Sequence, residues 1–310
     1  MVSEAYRAQV QLLVRTIPIV AAEPCFALKG GTAINLFVRD MPRLSVDIDL
    51  TYLPIEDRPT SLRSIEAALQ RIGQGIVGAI PNARITEVRT KGENALTRLL
   101  IASSGSQIKI EVTPVIRGCV YPVATRQVAP RVEATFGFAE MPVVSFADLY
   151  AGKLVAALDR QHPRDRFDVR DLLRNEGVDD TLRAAFAVYM ISHDRPMVEV
   201  LSGRAKDIRV EFERGFEGMT DEPVTLADLE QAHTDLVRVI VGEMPDNHRR
   251  LLLSVEKGEP DWSLLGLDKV QNLPAVLWRL QNIRTLSAER RAANAEGLAR
   301  VLGLTDAGKA

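Results

Sequence analysis

Two stretches of different character predict an α+β protein, a mixed sheet with flanking helices followed by an α-helical domain. Short runs with period-two alternation lie between residues 26 and 115, interleaved with amphipathic helical segments. Past residue 140 only helical spacing remains. Pro122, Pro130 and Pro142 cluster around the change. This predicts a first domain over 1–140 and a helical domain over 141–310.

The elements follow in chain order. Val10, Leu13 and Ile17 have helical spacing and predict a helix over roughly 5–20. Phe26-Ala27-Leu28 is a short apolar strand that ends at Gly30-Gly31, and a helix is expected from Thr32 to Arg39, stopped by Pro42. Val46 to Leu53 alternates as a strand, and Arg58 to Ile80 reads as a helix opened by Pro59-Thr60-Ser61. Strands are expected over 84–90, 95–103 and 107–115, joined by hairpin-like Lys91-Gly92-Glu93-Asn94 and Ser104-Gly105-Ser106. Ser145 and Asp148 have capping-box spacing before a helix that runs to about Arg160. Pro163 interrupts, and helices are expected over about 164–175, 180–193, 204–217, 225–242, 246–256, 272–284 and 287–303.

Composition narrows the function classes. Hydrophobic residues make up 46% and charged residues 26% of the 310, which suits a water-soluble globular chain. A net charge of −2 argues against a globally basic nucleic-acid binder and leaves room for a local basic face. Two cysteines, Cys25 and Cys119, are too few for a disulfide framework, so reduced thiols in a cytoplasmic protein are expected. Glu4 arrives early with no long apolar stretch after it, so neither a secretory leader nor a membrane span is expected.

The chemistry centres on Ser45-Val46-Asp47-Ile48-Asp49-Leu50. Alternation places Asp47 and Asp49 on one face and the aliphatic side chains on the other. Adjacent carboxylates repel unless a cation lies between them, and Mg²⁺ is the usual one. The upstream Gly30-Gly31 pair lets backbone amides approach a phosphate. Gln107 to Val112 alternates too, with Lys109 and Glu111 on its polar face. If this strand lies beside the Asp47/Asp49 strand, Glu111 becomes a third carboxylate, able to complete a second metal site or take a proton from an incoming hydroxyl. Lys153 lies on an otherwise apolar helix, where its stem can pack while its ammonium reaches triphosphate oxygens. Asp165 and Asp168 share a helix face after it. Asp165, in the first turn, is expected to serve the helix dipole, and Asp168 is preferred as the site residue. The plainer alternatives are a solvated strand face for the two aspartates and a salt-bridge web for Arg164, Asp165, Arg166, Asp168 and Arg170. His162 and His193 are expected at the surface, and Trp262 and Trp278 in packing.

Lys29-Gly30-Gly31-Thr32-Ala33, Arg43 to Leu50, Ile108-Lys109-Ile110-Glu111, Lys153 and Arg164-Asp165-Arg166-Phe167-Asp168, in this order, resemble the nucleotidyltransferase toxins of the AbiEii/AbiGii type. These belong to the DNA polymerase β-like nucleotidyltransferase superfamily, and the resemblance covers about residues 25–175. It implies Asp47 and Asp49 as metal ligands, Ser45 as a phosphate contact, Lys153 as a nucleotide contact and Asp168 as a further essential acid. It implies Mg²⁺ or Mn²⁺, a nucleoside triphosphate (NTP) substrate, a cognate AbiEi-type antitoxin, and a role in a type IV toxin–antitoxin or abortive-infection system. The site is expected in the cleft between the two domains, and the acceptor is expected to be a tRNA 3′ end. A protein hydroxyl is the alternative acceptor, and a non-catalytic nucleotide- or antitoxin-binding module the alternative of another class. The arginines of the helical half, Arg249 and Arg279 among them, are expected mostly on solvated helix faces, with a few contacting RNA.

Overall fold

The computed structural model describes residues 4–304 and forms two compact units, one reaching to Ser145 and including Gly218–Pro223, the other formed by Phe146–Glu217 and the chain from Val224 onward.

The first unit is built on a seven-stranded sheet. Its strands are β1 (Phe26–Lys29), β2 (Asp47–Tyr52), β3 (Arg84–Arg89), β4 (Leu96–Ser103), β5 (Ser106–Val112), β6 (Ala124–Gln127) and β7 (Glu140–Val143), in the order β3-β4-β5-β2-β1-β7-β6. The β2–β5 and β1–β7 pairings are parallel and the others antiparallel, so the sheet is mixed, as the alternating runs predict. Helix α1 (Glu4–Ala21) packs on β5 and β7, and α3 (Arg58–Ala79) on β4. Val10, Leu13 and Ile17 are fully buried, with Ile48, Leu50, Ile108 and Ile110 of the central strands. Burying each such side chain contributes on the order of 1.5–3 kcal/mol, which sets the face each central strand turns inward. The polar residues of β2 and β5 are thereby committed to the other face.

Two features of the first unit depart from expectation. Helix α2 (Gly30–Thr32) begins at the first glycine and continues as a π-helical segment, Ala33–Val38, rather than as a regular helix from Thr32. The sheet gains β6 and β7, with α4 (Pro130–Phe136) between them. Each of these strands has four residues, and Pro142 lies within β7, so neither shows a readable period.

The second unit is helical. It comprises α5 (Phe146–Asp159), α6 (Pro163–Asn175), α7 (Asp180–Ile191), α8 (Met197–Leu201), α9 (Arg209–Gly215), α10 (Leu226–Val237), α11 (Asp246–Lys257), α12 (Pro274–Thr285) and α13 (Ala288–Val301). Helix α5 is buried along most of its length and packs on α6 and α7, while α10 covers α6. Phe167, Ile208, Phe216 and Leu229 form a separate cluster, joined by Phe212, Val224 and Leu226.

Several side chains differ from their expected settings. His162 is half-buried and caps α6, its Nδ1 accepting from the Arg164 amide at 3.1 Å. His193 lies 3.2 Å from Asp159. Trp278 is 41% exposed rather than packed. Arg249 and Arg279 do not lie on solvated faces. Arg249 donates to carbonyls of Val241, Gly242, Met244 and Leu302 that the ends of neighbouring helical segments leave open, and Arg279 reaches the Asp194 carbonyl and Glu256. Among the described residues Cys25 and Cys119 form no disulfide, and both are partly buried. Burial beside Glu23 pushes the Cys25 thiol up to about 11. Iodoacetamide is expected to label it slowly at pH 8 and roughly a hundredfold faster at pH 10, against several-fold for an unshifted thiol, measured by peptide mass, because the thiolate is the reacting form. No helix of the described residues is long and apolar enough to cross a membrane.

Candidate active site

Gly30 anchors the first cluster. Its φ of +74° falls where L side chains are strained, and a Cβ there would lie 2.6 Å from Asp49 Oδ2. A Cβ at Gly31 would lie 2.9 Å from Ser45 Oγ and 3.0 Å from Arg43 Nη2. The turn therefore brings bare backbone against both the second aspartate and the serine. Asn35 Nδ2 donates to the Gly31 carbonyl at 2.8 Å, and the Thr32 hydroxyl donates to the Asp47 carbonyl at 2.5 Å with Ser45 Oγ 3.0 Å away. These bonds tie the turn to the start of β2. Gly30→Ala is expected to cost about 1–2 kcal/mol from backbone strain alone. It should also displace the Asp49 carboxylate, so nucleotide transfer should fall further than thermal stability does, as read from an activity assay beside a melting curve.

Residues on the polar face of β2 and β5 meet through strand register. Asp47 stands opposite Lys109, and Asp49 opposite Glu111. Lys109 Nζ lies 2.8 Å from Glu111 Oε2 and 3.7 Å from Asp47 Oδ2, and Arg98 donates to Glu111 Oε1 at 2.5 Å. Burial would raise the Glu111 carboxyl, but the bonds from Lys109 and Arg98 outweigh it and hold the group below its ordinary value. Asp49 is different. Burial raises its carboxyl, Asp47 and Glu111 add to the rise, and Lys29 and Lys109 offset only part of it. Lys29 is shifted down by burial against the pull of Asp49, and its Nζ donates to Thr113 Oγ1 at 3.1 Å.

Asp47 and Asp49 fit a divalent ion. They offer hard oxygen donors on one strand face, the Gly30 cradle leaves Asp49 Oδ2 uncrowded, and a cation beside Asp49 would favour the charged form that burial disfavours. Among the described residues no group of three or more His, Cys, Asp and Glu side chains is gathered closely enough to form a protein-only metal cage.

A second cluster lies within the helical unit. Lys153, 6% exposed, places Nζ 2.7 Å from Asp165 Oδ1 and 2.9 Å from Asp168 Oδ2. Arg160 donates to Asp165 from Nε at 2.6 Å and Nη2 at 2.9 Å. Burial would raise the Asp165 carboxyl, but Lys153 and Arg160 together hold it far below the ordinary range. Asp165 is 1% exposed, so it is a buried partner of Lys153 and not a solvated first-turn charge. Arg166 also leaves the expected web. It is buried and donates to Gln161 Oε1 at 2.6 Å and the Lys206 carbonyl at 3.3 Å.

Gly30, Gly31, Ser45, Asp47, Asp49 and Glu111 thus lie in one cluster of the first unit, and Lys153 with Asp168 in one cluster of the second. The residues that sequence reasoning left out are Lys29, Thr32, Arg43, Arg98, Lys109, Arg160 and Asp165. Lys109 and Asp165 carried a signal, since one shares the polar face with Glu111 and the other a helix face with Asp168. Arg43 lies in a run that carries the family resemblance, but its approach to Gly31, like the bond from Arg98 to Glu111, shows only in the tertiary structure.

A family model described as "Nucleotidyl transferase AbiEii toxin, Type IV TA system" matches residues 11–282. Among solved structures, MenT4, a nucleotidyltransferase toxin from Mycobacterium tuberculosis, superposes with a TM-score of 0.60 at 16% identity, covering 90% of this chain and 94% of its own. No curated protein matches the sequence.

Proposed function

The chain belongs to the AbiEii family of type IV toxin–antitoxin nucleotidyltransferases, and from that premise we propose that it transfers a nucleotide from an NTP to the 3′ end of tRNA, with Asp47 and Asp49 as its Mg²⁺ ligands. The observation that carries this reading is the contact of the Gly30-Gly31 turn with Asp49 on one side and Ser45 on the other. A phosphate-holding backbone and a metal-holding carboxylate are side by side, as NTP chemistry needs.

The acceptor hydroxyl forms a bond to the α-phosphorus, the bond to the bridging oxygen breaks, and pyrophosphate leaves. When bound, the ion neutralises charge on the phosphates and on the developing oxyanion. The chain's own groups do the rest. The Gly30 and Gly31 amides and Ser45 Oγ orient the triphosphate, and Arg43 adds positive charge beside Gly31. Glu111, fixed by Lys109 and Arg98, is positioned as base for the attacking hydroxyl or as part of a second ion's site. Lys153, whose ammonium Asp165 and Asp168 hold in one place within the helical unit, is the nucleotide contact that the family pattern implies. The same reading puts the protein in the cytoplasm with a cognate antitoxin, active in toxin–antitoxin control or abortive infection.

Incubation with labelled NTPs, total RNA and lysate protein tests the acceptor. Label in tRNA that is removed by trimming the 3′ end is the expected result, and label confined to protein would overturn the tRNA assignment. Expression should arrest growth, and Asp49→Ala should abolish the arrest.

A further inference from the structure

The segment Gly218–Pro223 belongs to the first unit although it lies between two helices of the second. Its flanks are pinned by aromatic and aliphatic packing. Phe212 and Phe216 before it and Val224 and Leu226 after it join the Phe167 cluster. Its middle lies on the loop that precedes β2. The Leu44 amide donates to the Met219 carbonyl at 3.2 Å, and Arg43 pairs with Thr220 in an isolated antiparallel bridge. Arg131 pairs with Asp221, and the Tyr6 hydroxyl lies 4.0 Å from Met219 Sδ. Met219 is 5% exposed and Arg43 3% exposed, so this contact is packed rather than incidental.

The consequence lies one residue further on. Arg43 and Ser45 are the side chains that meet Gly31, and Thr32 ties Ser45 to β2. Among the described residues no strand or helix spans 39–46, so this stretch has no regular hydrogen-bond ladder of its own to fix it. The strap supplies two of its constraints, the Leu44–Met219 bond and the Arg43–Thr220 bridge.

We propose that Met219–Asp221 is a positioning strap for the triphosphate-holding turn, so that Met219 sets NTP affinity without touching the nucleotide. This rests on the nucleotidyltransferase reading of the Gly30-Gly31 and Ser45 site. Loosening the strap lets Ser45 and Arg43 drift, and a misplacement of about 1 Å in a binding group is enough to weaken a phosphate contact severely.

The test measures binding of each of the four ribonucleoside triphosphates by calorimetry, with steady-state kinetics and melting curves, for wild type and four variants. Met219→Ala should raise the NTP Kd and KM about tenfold with kcat changed less, the pattern of lost substrate positioning. Met219→Leu, which conserves volume, should restore both to near wild type. Arg131→Gln removes an exposed ion pair that contributes little to stability, so it probes the strap in a folded protein, and KM should rise about threefold. Ser45→Ala is the control for the site itself and should weaken binding. If wild type binds NTP and Ser45→Ala weakens it while Met219→Ala and Arg131→Gln leave Kd and KM unmoved, the strap assignment is wrong and the site reading stands. If Met219→Ala lowers the melting temperature alone, the segment is only structural and the proposal fails. If wild type binds none of the four, the site reading falls and takes the strap with it.

Discussion

Asp47→Asn and Asp49→Asn should each lower nucleotide transfer by at least about a thousandfold, because each would remove a charge proposed to hold the metal in a reaction driven by positioning and charge stabilisation. The loss should not come from unfolding. The Asp47 side chain is 42% exposed, and its nearest cation, Lys109 at 3.7 Å, keeps a shorter bond to Glu111 at 2.8 Å. Asp49→Asn removes a charge that burial disfavours, while Lys29 loses its counter-charge, and the two effects oppose each other. Both variants should therefore stay within about 1 kcal/mol of wild type in urea unfolding. Mn²⁺ binding followed by electron paramagnetic resonance should weaken in both. Retained Mn²⁺ affinity in either variant would remove that residue from the ligand set.

Lys153→Met should do the opposite to the balance of stability and function. It strips the ammonium from two carboxylates that are each 1% exposed. Breaking a buried ion pair from one side costs about 3–5 kcal/mol, because the remaining charge is uncompensated. Arg160 still holds Asp165, so the cost should sit at the lower end. Lys153→Met combined with Asp165→Asn and Asp168→Asn should recover much of the stability and none of the activity; activity recovered with the stability would remove Lys153 from the proposed site. The pH dependence has a definite sign. Asp165 is held below its ordinary value in the folded state, so its contribution is present at neutral pH. It declines as the pH falls below about 4, where the unfolded-state carboxyl takes up its proton first. Urea unfolding between pH 7 and pH 3 should show an acid loss of stability in wild type that Asp165→Asn lacks. An equal acid loss in both would assign the transition to other carboxylates.

Local patterns legible in the sequence were the strictly alternating ones. Val46 to Leu50 and Gln107 to Val112 each displayed a buried and a polar face, and Gly30-Gly31 marked the turn. The family resemblance joined them, and the α+β fold with its nucleotidyltransferase activity followed. Cross-strand register was hidden, because the pairing of Asp47 with Lys109 joins residues far apart in the chain. That register brings Lys109 beside Asp47 as well as Glu111. The setting of Asp165 is hidden for a related reason. A first-turn aspartate looks like a dipole partner until tertiary packing buries it against Lys153. The strands β6 and β7 were too short to show a period, and Gly218–Pro223 has no pattern at all. It is held by one methionine, by backbone bonds and by the Arg131–Asp221 pair, none of which leaves a mark on composition.

The central claim is that the NTP is cut at its α-phosphate and the nucleotide retained on an acceptor. Parallel reactions with NTPs labelled at the α- or the γ-phosphate test it most directly, using wild type and Asp47→Asn with total RNA and lysate protein. The expected result is α-label in an acceptor, γ-label released only as pyrophosphate, and neither event with Asp47→Asn. Transfer of γ-label to the acceptor, or no label transferred from any of the four triphosphates, would contradict the account.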